Sequence, residues 1–136
     1  MVKDGQAYLM ETAARGGGGN ISGKIIPFLT DFDPSRALVQ ASLSEDVDVT
    51  FGSYRDAYAV MRFFCFEPGV VKAIEYDQKA TVSMLHFELD LIPGSLIRPI
   101  MDTRDRPGYF VIGGQDRDSL LDQEERFLRS FKIEYE

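Results

Sequence analysis

Apolar residues change period several times along the chain, and each change marks an element. Over residues 6–11, Ala7, Leu9 and Glu11 alternate with Tyr8 and Met10, the two-residue period of a strand that delivers Glu11 at its end. Arg15 and four consecutive glycines, Gly16 to Gly19, follow at once. Glycine holds neither strand nor helix interiors well, so residues 15–22 are predicted to form a loop whose bare backbone lies close to another group. Asp33 and Pro34 read as a helix cap and first helical residue, with Ala37, Leu38 and Ala41 carrying the helix to about Leu43. Residues 44–56 mix acids with Val47, Val49 and Phe51 and show no clear period. The dense apolar run 57–66 predicts a strand covered on both faces. Glu67-Pro68-Gly69 is turn chemistry and residues 70–76 are rich in β formers, so residues 57–76 are expected to be a hairpin.

Farther on, Leu85, Phe87, Leu89 and Leu91 share one parity while Met84, His86, Glu88 and Asp90 share the other, a half-buried strand with a wet face. Pro93-Gly94 ends it. Residues 98–106 carry five charges, Arg98, Asp102, Arg104, Asp105 and Arg106, and a short apolar strand, 109–112, is closed by Gly113-Gly114. Asp116 or Asp118 then caps a helix in which Leu120, Leu121, Phe127, Leu128 and Phe131 recur at helical spacing, with Asp122, Glu124, Glu125 and Arg129 turned outward. Residues 131–135 return as an edge strand. The predicted class is α+β, a mainly antiparallel sheet with a few flanking helices.

Composition narrows the function classes. The 136 residues fit one globular unit, and 44% apolar content with 10 Phe and 6 Tyr supports a packed core. A net charge of -7 sets the surface against phosphate backbones and anionic membranes, so neither nucleic acid nor membrane is expected as a partner. No uncharged apolar stretch approaches the roughly 18 residues of a bilayer span, and the first residues lack a secretory segment, which points to a cytoplasmic protein. One cysteine and one histidine exclude internal disulfides and His-rich metal sites. Cys65 is expected to be a small buried hydrophobe, and His86 a surface imidazole beside a carboxylate. Phe63, Phe64 and Phe66 read as core. Asp102, Arg104, Asp105 and Arg106 read as a solvated loop with mutual pairing or as the rim of a substrate mouth. Chemistry is left to carboxylates, arginines and backbone amides.

The Glu11–Arg15–glycine segment has those parts. On an extended backbone Glu11, Ala13 and Arg15 share one face, with the two charged residues roughly 13 Å apart at about 3.3 Å per residue. The carboxylate can hold a hard Mg²⁺, the guanidinium can grip a phosphoryl or carboxylate group, and the N–H groups of Gly16 to Gly19 can face an anion. A surface ion pair beside a glycine turn uses the same residues. Gly18 to Lys24 fits G-x-x-x-x-G-K, yet Ile25 stands where a phosphate-binding loop needs Ser or Thr, and Pro27 removes a backbone donor from the helix that would follow.

Residues 4–18, with the pattern E-x-x-x-R before a glycine-rich loop, resemble the last catalytic strand and loop of the ATP-grasp ligases, and within them the L-amino-acid ligase type. Asp105-Arg106-Pro107-Gly108-Tyr109, with Gly113-Gly114 leading into the final helix, resembles the C-terminal subdomain of the same enzymes. The resemblance implies that residues 1–56 are the end of the catalytic lobe and residues 57–136 the C-terminal α+β subdomain, packed as one unit. It implies Glu11 as a magnesium ligand, Arg15 as the catalytic arginine, and Gly16, Gly17, Gly18 and Gly19 as a substrate-holding loop. ATP and Mg²⁺ would be the cofactors, and a small-molecule carboxylate and amine the substrates. Where many ATP-grasp enzymes place Asn two residues after the glutamate, this chain has Ala13. The implied function is that of a C-terminal fragment of a carboxylate-amine ligase forming an acyl-phosphate, inactive alone, with a separate N-terminal ATP-grasp polypeptide or self-association as its partnership. The alternative is a non-catalytic binding or assembly module that keeps the fold.

Overall fold

A computed structural model describes residues 2–10, 16–47 and 54–136. The chain starts with a small hairpin, β1 (Val2–Lys3) and β2 (Gln6–Ala7), joined by Asp4 and Gly5 at φ 52° and 74°. Two consecutive positive φ values make the tight turn that matches strand twist. This turn limits the ladder to two residue pairs, so the strand expected over 6–11 is confined to Gln6–Ala7, and Glu11 lies outside the described residues. After the glycines a π-helical turn (Ile21–Ile25) runs directly into α1 (Ile26–Leu29). The capped helix appears as expected: α2 (Pro34–Ser42) starts at Asp33, whose Oδ1 accepts from the N–H of Ser35 at 2.9 Å and of Arg36 at 3.1 Å.

The remaining elements are β3 (Tyr58–Phe63), β4 (Gly69–Glu75), α3 (Gln78–Thr81), β5 (His86–Leu89), β6 (Leu96–Ile97), β7 (Gly108–Gly114), α4 (Arg117–Arg129) and β8 (Lys132–Tyr135). A 3₁₀ turn (Thr103–Asp105) precedes β7. These strands form two three-stranded sheets, β3-β7-β5 and β6-β4-β8, in which every pairing is antiparallel. The fold is therefore α+β with antiparallel sheets, as the sequence pattern predicts. The hairpin expected over 57–76 does not form, because β3 pairs with β7 while β4 pairs with β6 and β8. The reason lies in the connection: Phe64 sinks to full burial and its N–H donates to the Gly108 carbonyl at 3.0 Å, so the chain crosses between sheets before Pro68-Gly69 turns it.

One face of the β3-β7-β5 sheet packs on α4 through Phe64, Phe110, Ile112, Leu120 and Phe127. Ring centroids of Phe64 lie 5.1 Å from Phe131 and 5.6 Å from Phe110, spacings at which aromatic pairs attract. A second core of Val71, Leu91 and Ile97 sits under the other sheet, with Phe66 and Leu89 packed against both cores. Gly113-Gly114 does not close a strand but ends inside β7, where bareness is used: a Cβ on Gly113 would meet the Phe28 ring at 2.5 Å. Asp116 caps α4, its Oδ1 accepting from Ser119 N–H at 2.7 Å. Glu124, expected outward, is 6% exposed and turned inward to the Arg62 guanidinium of β3. Cys65 is exposed rather than buried, because Phe64 and Phe66 take the inward positions on either side of it. The edge strand expected over 131–135 is β8. No helix among the described residues is long and apolar enough to cross a membrane.

Candidate functional site: the glycine turn on the outer face of the sheet

The face of β3-β7-β5 away from α4 carries Met61, Phe63, Tyr109, Val111, His86 and Glu88, as the antiparallel register requires. The glycine segment lies on this face. Gly16 to Gly18 are exposed, while Gly19 is half-buried at φ 63°. A Cβ on Gly19 would meet Met61 Sδ at 2.8 Å, which is why the chain needs glycine at this contact. Asn20 pins the turn: it adopts the left-handed conformation, its Nδ2 donates to the Tyr109 hydroxyl at 2.8 Å, and the same atom lies 3.3 Å from His86 Nδ1. His86 Nε2 in turn lies 3.2 Å from Glu88 Oε2. The expected His86–carboxylate pairing is present, on a half-buried ring whose centroid lies 4.7 Å from that of Tyr109 at a tilt of 32°. Burial raises the Tyr109 pKa, the Glu88 charge raises it further, and the hydrogen bond from Asn20 opposes both.

Between this turn and the Asp105–Tyr109 segment opens a cavity of about 290 Å³, lined by Gly19, Phe63, Glu88, Asp90, Thr103, Arg106, Gly108 and Tyr109. Arg106 stacks over Phe63, its Cζ 4.4 Å from the ring centroid. Phe63 therefore faces this cavity, while Phe64 is core as expected. Part of the 102–106 charge run is the mutually paired loop that one of its two readings expects. Asp102 pairs with Arg104 at 2.8 Å, a contact that lowers the Asp102 pKa, and Asp105 Oδ2 accepts from the N–H of Met101 and of Asp102 at 2.9 and 3.0 Å. Arg106 is left to the cavity. On its other side Arg106 and Asp90 also line a second cavity of about 360 Å³, at the seam with the other sheet, together with Arg98 and Arg104.

The pattern of residues thus brings Gly19 and the Asp105–Tyr109 turn to one cleft, two segments 85 or more positions apart in the chain. Glu11 and Arg15 fall outside the described residues. Among the described residues no three His, Cys, Asp or Glu side chains gather to hold a metal. Asn20 went unmarked in the sequence pattern, although a polar residue tolerant of positive φ directly after a glycine run is the available signal.

The sequence profile of the family described as "L-amino acid ligase C-terminal domain 2" matches residues 62–136. The chain belongs to this family. The L-amino acid ligase C-terminal domain 2 match takes in β4 through β8, the 3₁₀ turn and all of the cavity's lining except Gly19. The fold is also that of two solved structures. The crystal structure of phosphoribosylglycinamide synthetase from Anaerococcus prevotii superposes with a TM-score of 0.80 at 13% identity, covering 99% of this chain and 35% of that one. That of L-amino acid ligase from Bacillus licheniformis gives 0.76 at 18% identity, covering 98% and 34%. The chain thus spans about a third of the length of either enzyme. No curated protein matches it. The resemblance to the C-terminal part of the ATP-grasp ligases is borne out by the family match, and both solved structures share the fold.

Proposed function

We propose that the chain is the C-terminal part of an ATP-grasp carboxylate-amine ligase, which activates a carboxylate as an acyl-phosphate and joins it to an amine. The nucleotide-covering lobe would come from the same polypeptide or from a separate one, and these 136 residues would turn over little without it. In this reading residues 1–56 finish the catalytic lobe and residues 57–136 form the C-terminal subdomain. Glu11 holds Mg²⁺, which when bound neutralises charge on phosphate oxygens. Arg15 grips the transferring group, and the glycine loop Gly16 to Gly19 holds the substrate.

The observation that carries the reading is the family match over residues 62–136 combined with a glycine segment that follows E-x-x-x-R and packs on the matched sheet. Neutral or positive donors aimed at charge that develops in a transition state contribute about 3–4 kcal/mol each. Removing Glu11 or Arg15 should therefore lower turnover at least about a hundredfold. The test supplies the chain with a nucleotide-covering lobe and measures ADP release that depends on both a carboxylate and an amine. Glu11→Ala and Arg15→Ala are each expected to abolish it. Release that survives in either variant would remove these two residues from the reaction, and release that ignores both substrates would favour a binding or assembly module.

A further inference from the structure

We propose that Arg106 anchors a binding site for a small molecule bearing one carboxylate, in the cleft between the glycine turn and the Asp105–Tyr109 segment. Five arginines, Arg55, Arg62, Arg104, Arg117 and Arg129, each meet a carboxylate within ion-pair distance. Arg106 meets none among the described residues, although acidic side chains outnumber basic ones 22 to 15 and the residue is half-buried. A partly desolvated cation without an ion-pair partner is costly unless something else satisfies it. Phe63 covers one face of the guanidinium, which holds the group in place and leaves its N–H edge for a ligand.

Arg106 borders open space on two sides. Arg106 lines the cavity of about 290 Å³ beside Gly19 and also the cavity of about 360 Å³ at the seam between the sheets, so a ligand held there has room for its body in either direction. Both volumes lie near the lower end of small-molecule pockets, about 300 to 1,000 Å³. The planar two-oxygen carboxylate matches the guanidinium fork. Glu88 and Asp90 line the same cavity and select the charge of the occupant, since two nearby carboxylates repel a dianion more strongly than a monoanion. The Glu88 carboxylate is engaged by His86.

As a substrate site the cleft rests on the ligase reading, whereas carboxylate binding rests on Arg106 alone. The experiment follows backbone amides and the Arg106 Nε–H of the ¹⁵N-labelled 136-residue chain by NMR during titration with acetate, inorganic phosphate at pH 8 and ethylammonium. Acetate is expected to shift Arg106 Nε–H together with the amides of Gly19, Thr103, Gly108 and Tyr109 along one saturating curve. Losing a charge-assisted hydrogen bond should weaken acetate about tenfold or more in Arg106→Gln. Arg106→Lys, which keeps the charge but loses the fork, should weaken it by a smaller factor, and its otherwise unchanged spectrum shows an intact fold. Phosphate is expected to bind more weakly than acetate, and ethylammonium to leave these signals in place. The proposal is overturned by acetate that leaves the five signals unmoved, by equal acetate affinity in both variants, or by tighter binding of phosphate or ethylammonium. None of those results bears on Glu11 and Arg15, so a failure here is separable from a failure of the ligase reading.

Discussion

Tyr109 shows how one side chain ties the glycine turn to the sheet. Its hydroxyl accepts from Asn20, its ring packs at a tilt against His86, and burial followed by the Glu88 charge raises its pKa. A phenol whose folded pKa lies above its unfolded value of about 10 favours the folded state in its protonated form. The contribution is complete below about pH 10 and is lost as pH rises through the folded value, because above the unfolded pKa the unfolded chain binds fewer protons. Urea midpoints measured across that range should fall with pH in the wild type and fall less steeply in Tyr109→Phe. Equal slopes in the two proteins would show that the hydroxyl is not held neutral by this environment. Gly108 constrains the same place by geometry. Its φ of 131° and a Cβ that would meet the Glu88 carbonyl oxygen at 2.1 Å explain why the Pro107-Gly108-Tyr109 sequence takes glycine there.

At the scale of elements, α4 is joined to the β3-β7-β5 sheet by apolar packing and by the inward pair between Glu124 and Arg62. The carboxylate is 7% exposed while the arginine is 54% exposed, so Arg62 shields a charge that would otherwise be buried alone. Breaking a fully buried pair costs about 3–5 kcal/mol, and the exposure of Arg62 reduces this to roughly 1–3 kcal/mol for Arg62→Met. Chemical denaturation should show that loss, with most of it recovered in Arg62→Met combined with Glu124→Leu. A double variant no more stable than Arg62→Met would mean that the pair does not carry the coupling. Glu124 also marks what the chain's pattern hides. Helical periodicity places Leu120, Phe127 and the Asp116 cap, all local features, whereas the inward turn of Glu124 depends on an arginine 62 positions away. The same limit applies to the strands. Alternation identifies β5 and an apolar run identifies β7, yet pairing is a long-range choice: Pro68-Gly69 reads as the turn of a hairpin although burial of Phe64 sends the flanking strands to different sheets.

For the whole molecule, the antiparallel α+β class and the ATP-grasp relationship are legible because both rest on contiguous segments, the glycine run and the Asp105–Tyr109 turn. Their meeting in one cleft is not legible, since Asn20, Tyr109 and His86 come together only through the sheet register. The placement of Gly19 against Met61 brings the segment that follows Arg15 onto the sheet matched to the ligase family, and this juxtaposition is the basis of the catalytic proposal. Oxygen transfer tests that proposal most directly. If the carboxylate attacks the terminal phosphorus of ATP, one of its oxygens leaves with the phosphate when the amine displaces it. Turnover of an ¹⁸O-carboxylate by the chain together with a nucleotide-covering lobe should release ADP and phosphate carrying one ¹⁸O, with the label lost along with activity in Glu11→Ala. Unlabelled phosphate, or AMP in place of ADP, would contradict the account.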